Sequence, residues 1–133
     1  NNSMHIEQLR NYCISKKAVT EEFPFNQDTL VFKVMGKMFV LIGLDRWEKG
    51  ETPLVLKCKP ERVLELSEAY ESVFAGMQQG RSENAKYVHA KHWITIHVNQ
   101  EVSDREVFEF IDECYNLVVS SFPKKLKVEY DNL

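Results

Sequence analysis

The spacing of apolar residues along the chain predicts several helices. Within residues 4–16, Ile6, Leu9 and Cys13 recur at intervals of three and four, which indicates the buried stripe of a first helix. Pro60 favours the first turn of a second helix, which is predicted to run to about Ser72. A long third helix is predicted to begin after Ser103 and to end before Pro123. Its apolar residues share the same three-and-four spacing: Val107, Ile111, Cys114, Val118 and Phe122.

Runs of β-favouring residues, some with alternating side-chain type, predict strands elsewhere. Residues 29–35 and 38–44 are two β-rich runs separated only by Gly36 and Lys37. Because glycine readily adopts a positive φ, we expect a tight hairpin with Gly36 at the first position of a type II′ turn. A short strand is predicted over residues 54–58 and another over residues 93–98.

The alternation also assigns residues to the two faces of these strands. We expect one core between sheet and helices, formed by Leu30, Phe32, Ile94, Ile96, Val107, Ile111 and Val118. Hairpin-linked strands bracketed by helices predict an α+β fold in two layers, an antiparallel sheet with helices packed on one face. The 133 residues suit a single domain over residues 4–123. Asn1, Asn2 and Ser3 are interpreted as a cloning remnant, residues 124–133 as a polar tail, and residues 76–84 as a polar loop.

The distribution of charged residues adds one prediction to this fold. The chain has 17 basic and 20 acidic residues and a formal charge of −3, which excludes a protein that coats nucleic acid or membrane by bulk positive charge. The lysines are concentrated in predicted strands and the acids in predicted helices. Lys33, Lys57 and His97 are expected on the open face of the sheet, with Thr95 and Trp93 beside them. Two readings stay open: contact with phosphates and bases, or an ordinary solvated sheet face.

The sequence offers little support for catalysis or metal binding. Cys13, Cys58 and Cys114 lie in apolar patterns and are expected to be buried thiols of a reducing compartment. His89, His92 and His97 lack a third metal ligand nearby in sequence, so they are expected to be solvated or hydrogen bonded. No catalytic signature is present, and we expect neither an enzyme nor a cofactor nor a bound metal. No apolar run approaches membrane-spanning length and no signal peptide is recognisable, so a cytoplasmic protein without a membrane partner is expected.

Four segments together resemble the MmcQ/YjbR family of small bacterial proteins. They are residues 23–25 with 30–39 (FPF and LVFKVMGKMF), residues 56–62 (LKCKPER), residues 91–93 (KHW) and residues 111–118 (IDECYNLV). The resemblance spans almost the whole chain. It implies a CyaY-like, or frataxin-like, α+β fold with a double-wing arrangement and a DNA-binding role.

The first hypothesis for function is therefore a cytoplasmic, non-enzymatic DNA-binding module that contacts phosphates through a basic sheet face. The residues expected to contact DNA are Lys33, Lys57, Tyr87, His89, Lys91, His92, Trp93 and His97. A second hypothesis is a frataxin-like module that binds metal or a protein partner through the acidic helix face, where Asp104, Glu106, Glu109, Asp112 and Glu113 lie. A third is a ligand- or protein-interaction domain that uses the loop at residues 76–84.

Overall fold

The computed structural model of the chain describes residues 3–77 and 88–133. The helices are α1 (Ile6–Ile14), α2 (Leu44–Glu48), α3 (Pro60–Ala69), α4 (Asp104–Ser120) and α5 (Lys124–Asp131). The strands are β1 (Val19–Glu22), β2 (Thr29–Val34), β3 (Lys37–Gly43), β4 (Pro53–Lys57), β5 (Val73–Ala75) and β6 (Trp93–His97). Within this part of the chain, no helix is long and apolar enough to cross a membrane.

These strands form one antiparallel sheet in the order β1-β2-β3-β4-β6-β5. On one face of it, α4 packs across β2, β3 and β4, while α3 packs on β5 and β6 and α1 on β1. The two-layer α+β architecture expected from the sequence is confirmed. All seven residues predicted for the core between sheet and helices lie in one buried cluster.

The predicted start of the long helix is confirmed in detail. Ser103 is the N-cap of α4, and its hydroxyl accepts a hydrogen bond from the backbone N–H of Glu106. The Glu106 carboxylate accepts in return from the backbone N–H of Ser103 at 3.0 Å. This reciprocal capping box satisfies amide groups that the helix itself leaves without partners.

The hairpin between β2 and β3 has a different turn from the predicted one. Val34 pairs with Lys37, so the two central residues are Met35 and Gly36 instead of Gly36 and Lys37. Their φ angles are +51° and +81°, and two positive values are what a type I′ turn requires. The prediction of a type II′ turn was wrong because the first central residue is Met35, which adopts the left-handed conformation that we had expected only of glycine.

A register shift in the same hairpin enlarges the core. Phe32 pairs with Val40 and Lys33 with Met38, which leaves Phe39 as the extra residue of a bulge. Phe39 and Val40 are adjacent in sequence, yet both are fully buried in the cluster beneath the helices. The bulge thus lets β3 direct two consecutive apolar side chains to one face without reversing the rest of the strand.

The second face of the sheet is not the solvated surface expected from its lysines. Val31, Leu41, Val55 and Trp93 are at most 4% exposed and form a second hydrophobic cluster with Val88. Three half-buried side chains complete it: Phe25, Met38 and Met77. The sheet is therefore apolar on both faces.

Gly76 makes two close contacts that hold the residues covering the second hydrophobic cluster in place. Thr95 is fully buried, and its hydroxyl donates to the carbonyl of Gly76 at 2.6 Å. Gly76 has a φ of +73°, and a Cβ at this position would lie 3.0 Å from Ala90. Since only glycine tolerates both the conformation and this close approach, Gly76 allows the backbone at Ala90 to pack directly against it.

Four of the observed elements were not predicted from the sequence. Two of them are the edge strands β1, where two glutamates are tolerated, and β5, which is only three residues long. The others are the helices α2, with five residues, and α5, which replaces the expected polar tail. In α5, Leu126 and Tyr130 pack against the main core, and the Tyr130 hydroxyl lies 2.8 Å from that of Tyr115.

Burial of the cysteines agrees with the sequence. Cys13, Cys58 and Cys114 are free thiols in the main core. Burial raises the pKa of Cys13 to about 12 and that of Cys58 to about 11. Both are therefore protonated near neutral pH, where they act as small apolar side chains.

Removing a large side chain from the second cluster tests whether that face is truly buried. Leu41→Ala deletes a side chain that is 1% exposed, so we expect it to lower the free energy of unfolding by about 2–5 kcal/mol. Leu64→Ala is the control, because Leu64 is 64% exposed and its loss should cost less than about 0.5 kcal/mol. Urea denaturation followed by circular dichroism measures both, and equal small effects would mean that the second face is solvated.

Half-buried His97 predicts a pH dependence of stability. It packs edge-on against Phe74 with ring centroids 5.6 Å apart, and burial lowers its pKa below the usual 6.5. In the unfolded chain His97 binds its proton more readily, so stability falls as the pH drops below about 6.5. We expect His97→Gln to reduce the loss of unfolding free energy between pH 7.5 and pH 5.5. An unchanged pH dependence in His97→Gln would show that other groups cause it.

Candidate nucleic-acid interface

Lysines gather at one end of the sheet. Because neighbouring strands are antiparallel, the start of β3, the end of β4 and the start of β6 all lie at this end. Lys37 begins β3, Lys59 follows β4 by two residues and Lys91 precedes β6 by two residues, and all three are exposed. We call these three lysines, with His89 and His92, the basic end.

Acidic residues predominate at the opposite end of the same strands. Asp28 precedes β2, Asp45 follows β3, Glu51 precedes β4 and Glu101 follows β6. Basic residues here include Arg46, which pairs with Glu51 at 3.4 Å, and Lys49. The charge separation thus runs along the strands, whereas we had expected it between a basic sheet face and an acidic helix face.

The backbone pairing sets Lys59 beside Lys91. Lys57 pairs with Trp93 in the sheet, and the N–H of Cys58 donates to the carbonyl of His92 at 2.8 Å. Lys59 follows Cys58 and Lys91 precedes His92, so the two lysines flank this hydrogen bond. Adjacent strands are about 4.8 Å apart, so lysines on the ends of β3, β4 and β6 span about 10 Å.

The turn that precedes β6 is exposed and internally braced. His92 N–H donates to the carbonyl of His89 at 3.0 Å, and Lys91 N–H donates to His89 Nδ1 at 3.0 Å. The two imidazole rings are 6.2 Å apart between centroids. All three side chains are exposed, so the turn presents two imidazoles and one ammonium group to solvent.

Two of the predicted DNA-contacting residues, Lys33 and Lys57, lie within the strands just short of the basic end. Lys33 pairs with Glu22 at 3.1 Å. The Lys57 ammonium lies 5.1 Å from the centre of the Trp93 ring, and burial lowers the Lys57 pKa. Their charges are thus partly engaged within the protein, which leaves less of each for an external ligand.

Trp93 is buried and does not present its ring for stacking with a base. It is 3% exposed, with its ring in the second hydrophobic cluster beneath Lys57. A base could stack on it only if this cluster opened. Trp93 anchors the start of β6 and thereby positions Lys91 and His92, the two residues before it.

His97 is not brought to the basic end, because it pairs with Pro53 at the opposite end of β6 and β4. Tyr87 lies outside the described residues, as does most of the predicted loop at residues 76–84.

Lys37 and Lys59 join the site although sequence reasoning did not select them. We had grouped residues by the face of a strand, and both lie at strand ends, where facial alternation carries no information. The available signal was the hairpin itself, since antiparallel strands bring the residues after one strand beside those before the next. Among the described residues, none of Lys37, Lys59 and Lys91 pairs with a carboxylate, in contrast to Arg10, Lys16 and Arg62.

Three acidic side chains of α4, those of Glu106, Asp112 and Glu113, have hydrogen-bond partners within the protein. Asp112 accepts hydrogen bonds from Tyr12 and Lys16, and Glu113 accepts from Arg62. Glu106 accepts from Tyr70, and this contact raises the Tyr70 pKa. Among the described residues, no three side chains of the metal-binding types converge on one point.

Comparisons with known proteins agree on the fold. A Deinococcus radiodurans protein, DR2400, with a DUF419 domain has a TM-score of 0.80 and 28% identity, over 97% of this chain and 89% of that one. A Pseudomonas syringae protein with 20% identity has a TM-score of 0.66 over 86% of this chain and 98% of that one.

The sequence comparisons identify the family. Protein YbdF of Escherichia coli O157:H7 is 29% identical over 104 residues, which is 77% of this chain and 75% of that protein. The YjbR family model matches residues 14–117, which include β1 to β6 and most of α4. The chain therefore belongs to the YjbR family.

Proposed function

We propose that this protein binds DNA through the sugar-phosphate backbone at its basic end, without a catalytic step. The observation that carries the proposal is that three exposed lysines lie at or just beyond the same end of three neighbouring strands, none paired with a carboxylate among the described residues. Such ammonium groups neutralise phosphates and release counterions.

The chemistry of the surface favours backbone contact over base recognition. Lysine is a flexible point charge, and sequence is read mainly by bidentate groups such as arginine, asparagine or glutamine. A span of about 10 Å corresponds to about three base-pair steps of 3.4 Å along the axis of duplex DNA. We therefore expect weak binding with little sequence preference. Because the formal charge of the whole chain is −3, attraction comes from this end alone.

The alternative role of the helix face has less support. Glu106, Asp112 and Glu113 each accept a hydrogen bond from a tyrosine or a basic side chain of this protein. An external metal or a basic partner would have to displace these contacts. The basic end, in contrast, offers cations without a carboxylate partner in the described part of the chain.

The salt dependence of binding tests this proposal. If three phosphates are neutralised, the logarithm of the association constant should fall against the logarithm of salt concentration with a slope of about −2.7. Lys59→Ala and Lys91→Ala should each weaken binding at low salt and reduce the slope by about 0.9. Fluorescence anisotropy of a labelled DNA duplex measures these quantities.

Lys49→Ala is the matched control for these variants. It removes one exposed lysine from the opposite end of the sheet, so the net charge changes equally and the slope should not. If Lys49→Ala reduces the slope as much as Lys59→Ala, binding reflects total charge and not the basic end. No anisotropy change for the wild type at low salt would contradict the proposal outright.

A further inference from the structure

A cleft of about 480 Å³ lies on the helix face of the sheet. It opens along the seam between α3, which packs over β5 and β6, and α4, which packs over β2, β3 and β4. Its floor is the cross-strand pair Leu56 and Ile94, each 1% exposed. Volumes of this size are typical of small-molecule sites.

The walls of the cleft are apolar. Leu66 comes from α3, and Phe110 and Leu117 come from α4. Cys58 also lines the cleft, and burial raises its pKa to about 11, so near neutral pH it adds apolar surface and no charge. Displacement of water from such walls favours a ligand with an apolar body.

The rim of the cleft carries charged side chains that contacts within the protein already hold in place. The Arg62 guanidinium donates to both carboxylate oxygens of Glu113 at 3.0 Å, and it also donates to Glu65 at 2.8 Å. It lies 5.6 Å from the centre of the Phe110 ring. These contacts hold the planar, bidentate donor at the mouth of the apolar space, where a ligand oxyanion can reach it.

Two basic side chains at the rim, Lys59 and Arg62, can bind an anionic head group. Two acidic residues, Glu61 and Glu113, also line the cleft, and the Lys57 ammonium lies on the other face of the sheet, over the Trp93 ring. These four rim charges cancel, so the preference for an anion comes from the geometry of Arg62 and not from net charge. The Arg62 guanidinium remains the only planar, forked donor among these lining side chains.

We propose that this cleft binds a small amphiphilic anion, with its apolar body on Leu56, Ile94 and Leu117 and its carboxylate or phosphate at Arg62 and Lys59. The ligand shares Arg62 with Glu113, so these two residues have opposite effects on its affinity. The cleft shares Lys59 with the basic end, but its apolar floor and Arg62 lie outside that surface, so this proposal does not depend on DNA binding.

Titration with single-chain probes tests the ligand class. Octanoate, octyl phosphate, octanol and octylamine have the same apolar chain and differ in the head group. We expect saturable shifts of backbone amide signals around the cleft with octanoate or octyl phosphate, and affinity about tenfold lower for octylamine. A preference between the two anions tells whether a carboxylate or a phosphate is the natural head group. Equal affinity for octanoate and octylamine would overturn the proposal.

Variants of the rim distinguish ligand contact from a structural role. Arg62→Gln and Glu113→Gln break the same ion pair, so a purely structural pair would give the same effect in both. We expect Arg62→Gln to weaken octanoate binding about fivefold and Glu113→Gln to strengthen it, while octanol binding changes little in either. Weakening in both variants would contradict the proposal, and thermal denaturation checks that both remain folded.

Filling the cleft provides an independent readout. Leu117→Trp places a large ring at the half-exposed wall, and we expect it to weaken octanoate binding at least about tenfold. Leu64→Trp is the matched control, since Leu64 is 64% exposed on α3 and does not line the cleft. Equal effects of the two tryptophans would place the ligand elsewhere. DNA affinity should be unchanged in Leu117→Trp, so failure of one proposal does not imply failure of the other.

Discussion

The constraint on which the rest of the structure depends is that the central sheet is apolar on both faces. Leu30 and Phe32 point toward the helices, and Val31, between them, points into the second hydrophobic cluster. Central strands with two buried faces cannot leave charges on those faces without a large cost in desolvation. Charged residues are therefore placed mainly at the strand ends, and the antiparallel order sorts them into a basic end and an acidic end.

The second hydrophobic cluster connects stability with the proposed function. Its cover includes Val88, and its edge includes Trp93, the residue at which β6 begins. The turn that carries Lys91 and His92 lies between these two anchors. A turn with buried residues on both sides loses less conformational freedom when it meets a ligand, which is the usual benefit of preorganisation. The same contacts explain why an aromatic residue beside a basic cluster need not be a stacking surface.

The sequence predicted what depends on local periodicity. The faces of β2 and β6, the capped start of α4 and the seven core residues follow from intervals of two, three and four. The second cluster could not be predicted in this way. Val31, Val55 and Trp93 were visible as apolar residues, but their cover comes from Phe25, Met77 and Val88, which lie outside the helices and strands, where periodicity carries no information. Lys37 and Lys59 were missed because their proximity to Lys91 arises from strand order, which alternation does not encode.

The central claim is that strand-end charges, and not a sheet face, form the functional surface. Mapping of backbone amide shifts upon addition of a DNA duplex at low salt tests it most directly. The account predicts that the largest changes cluster at Lys37, Lys59 and residues 89–92, with little change at Val31, Val55 or Lys49. Changes centred on α4, or spread evenly over the exposed lysines, would contradict it.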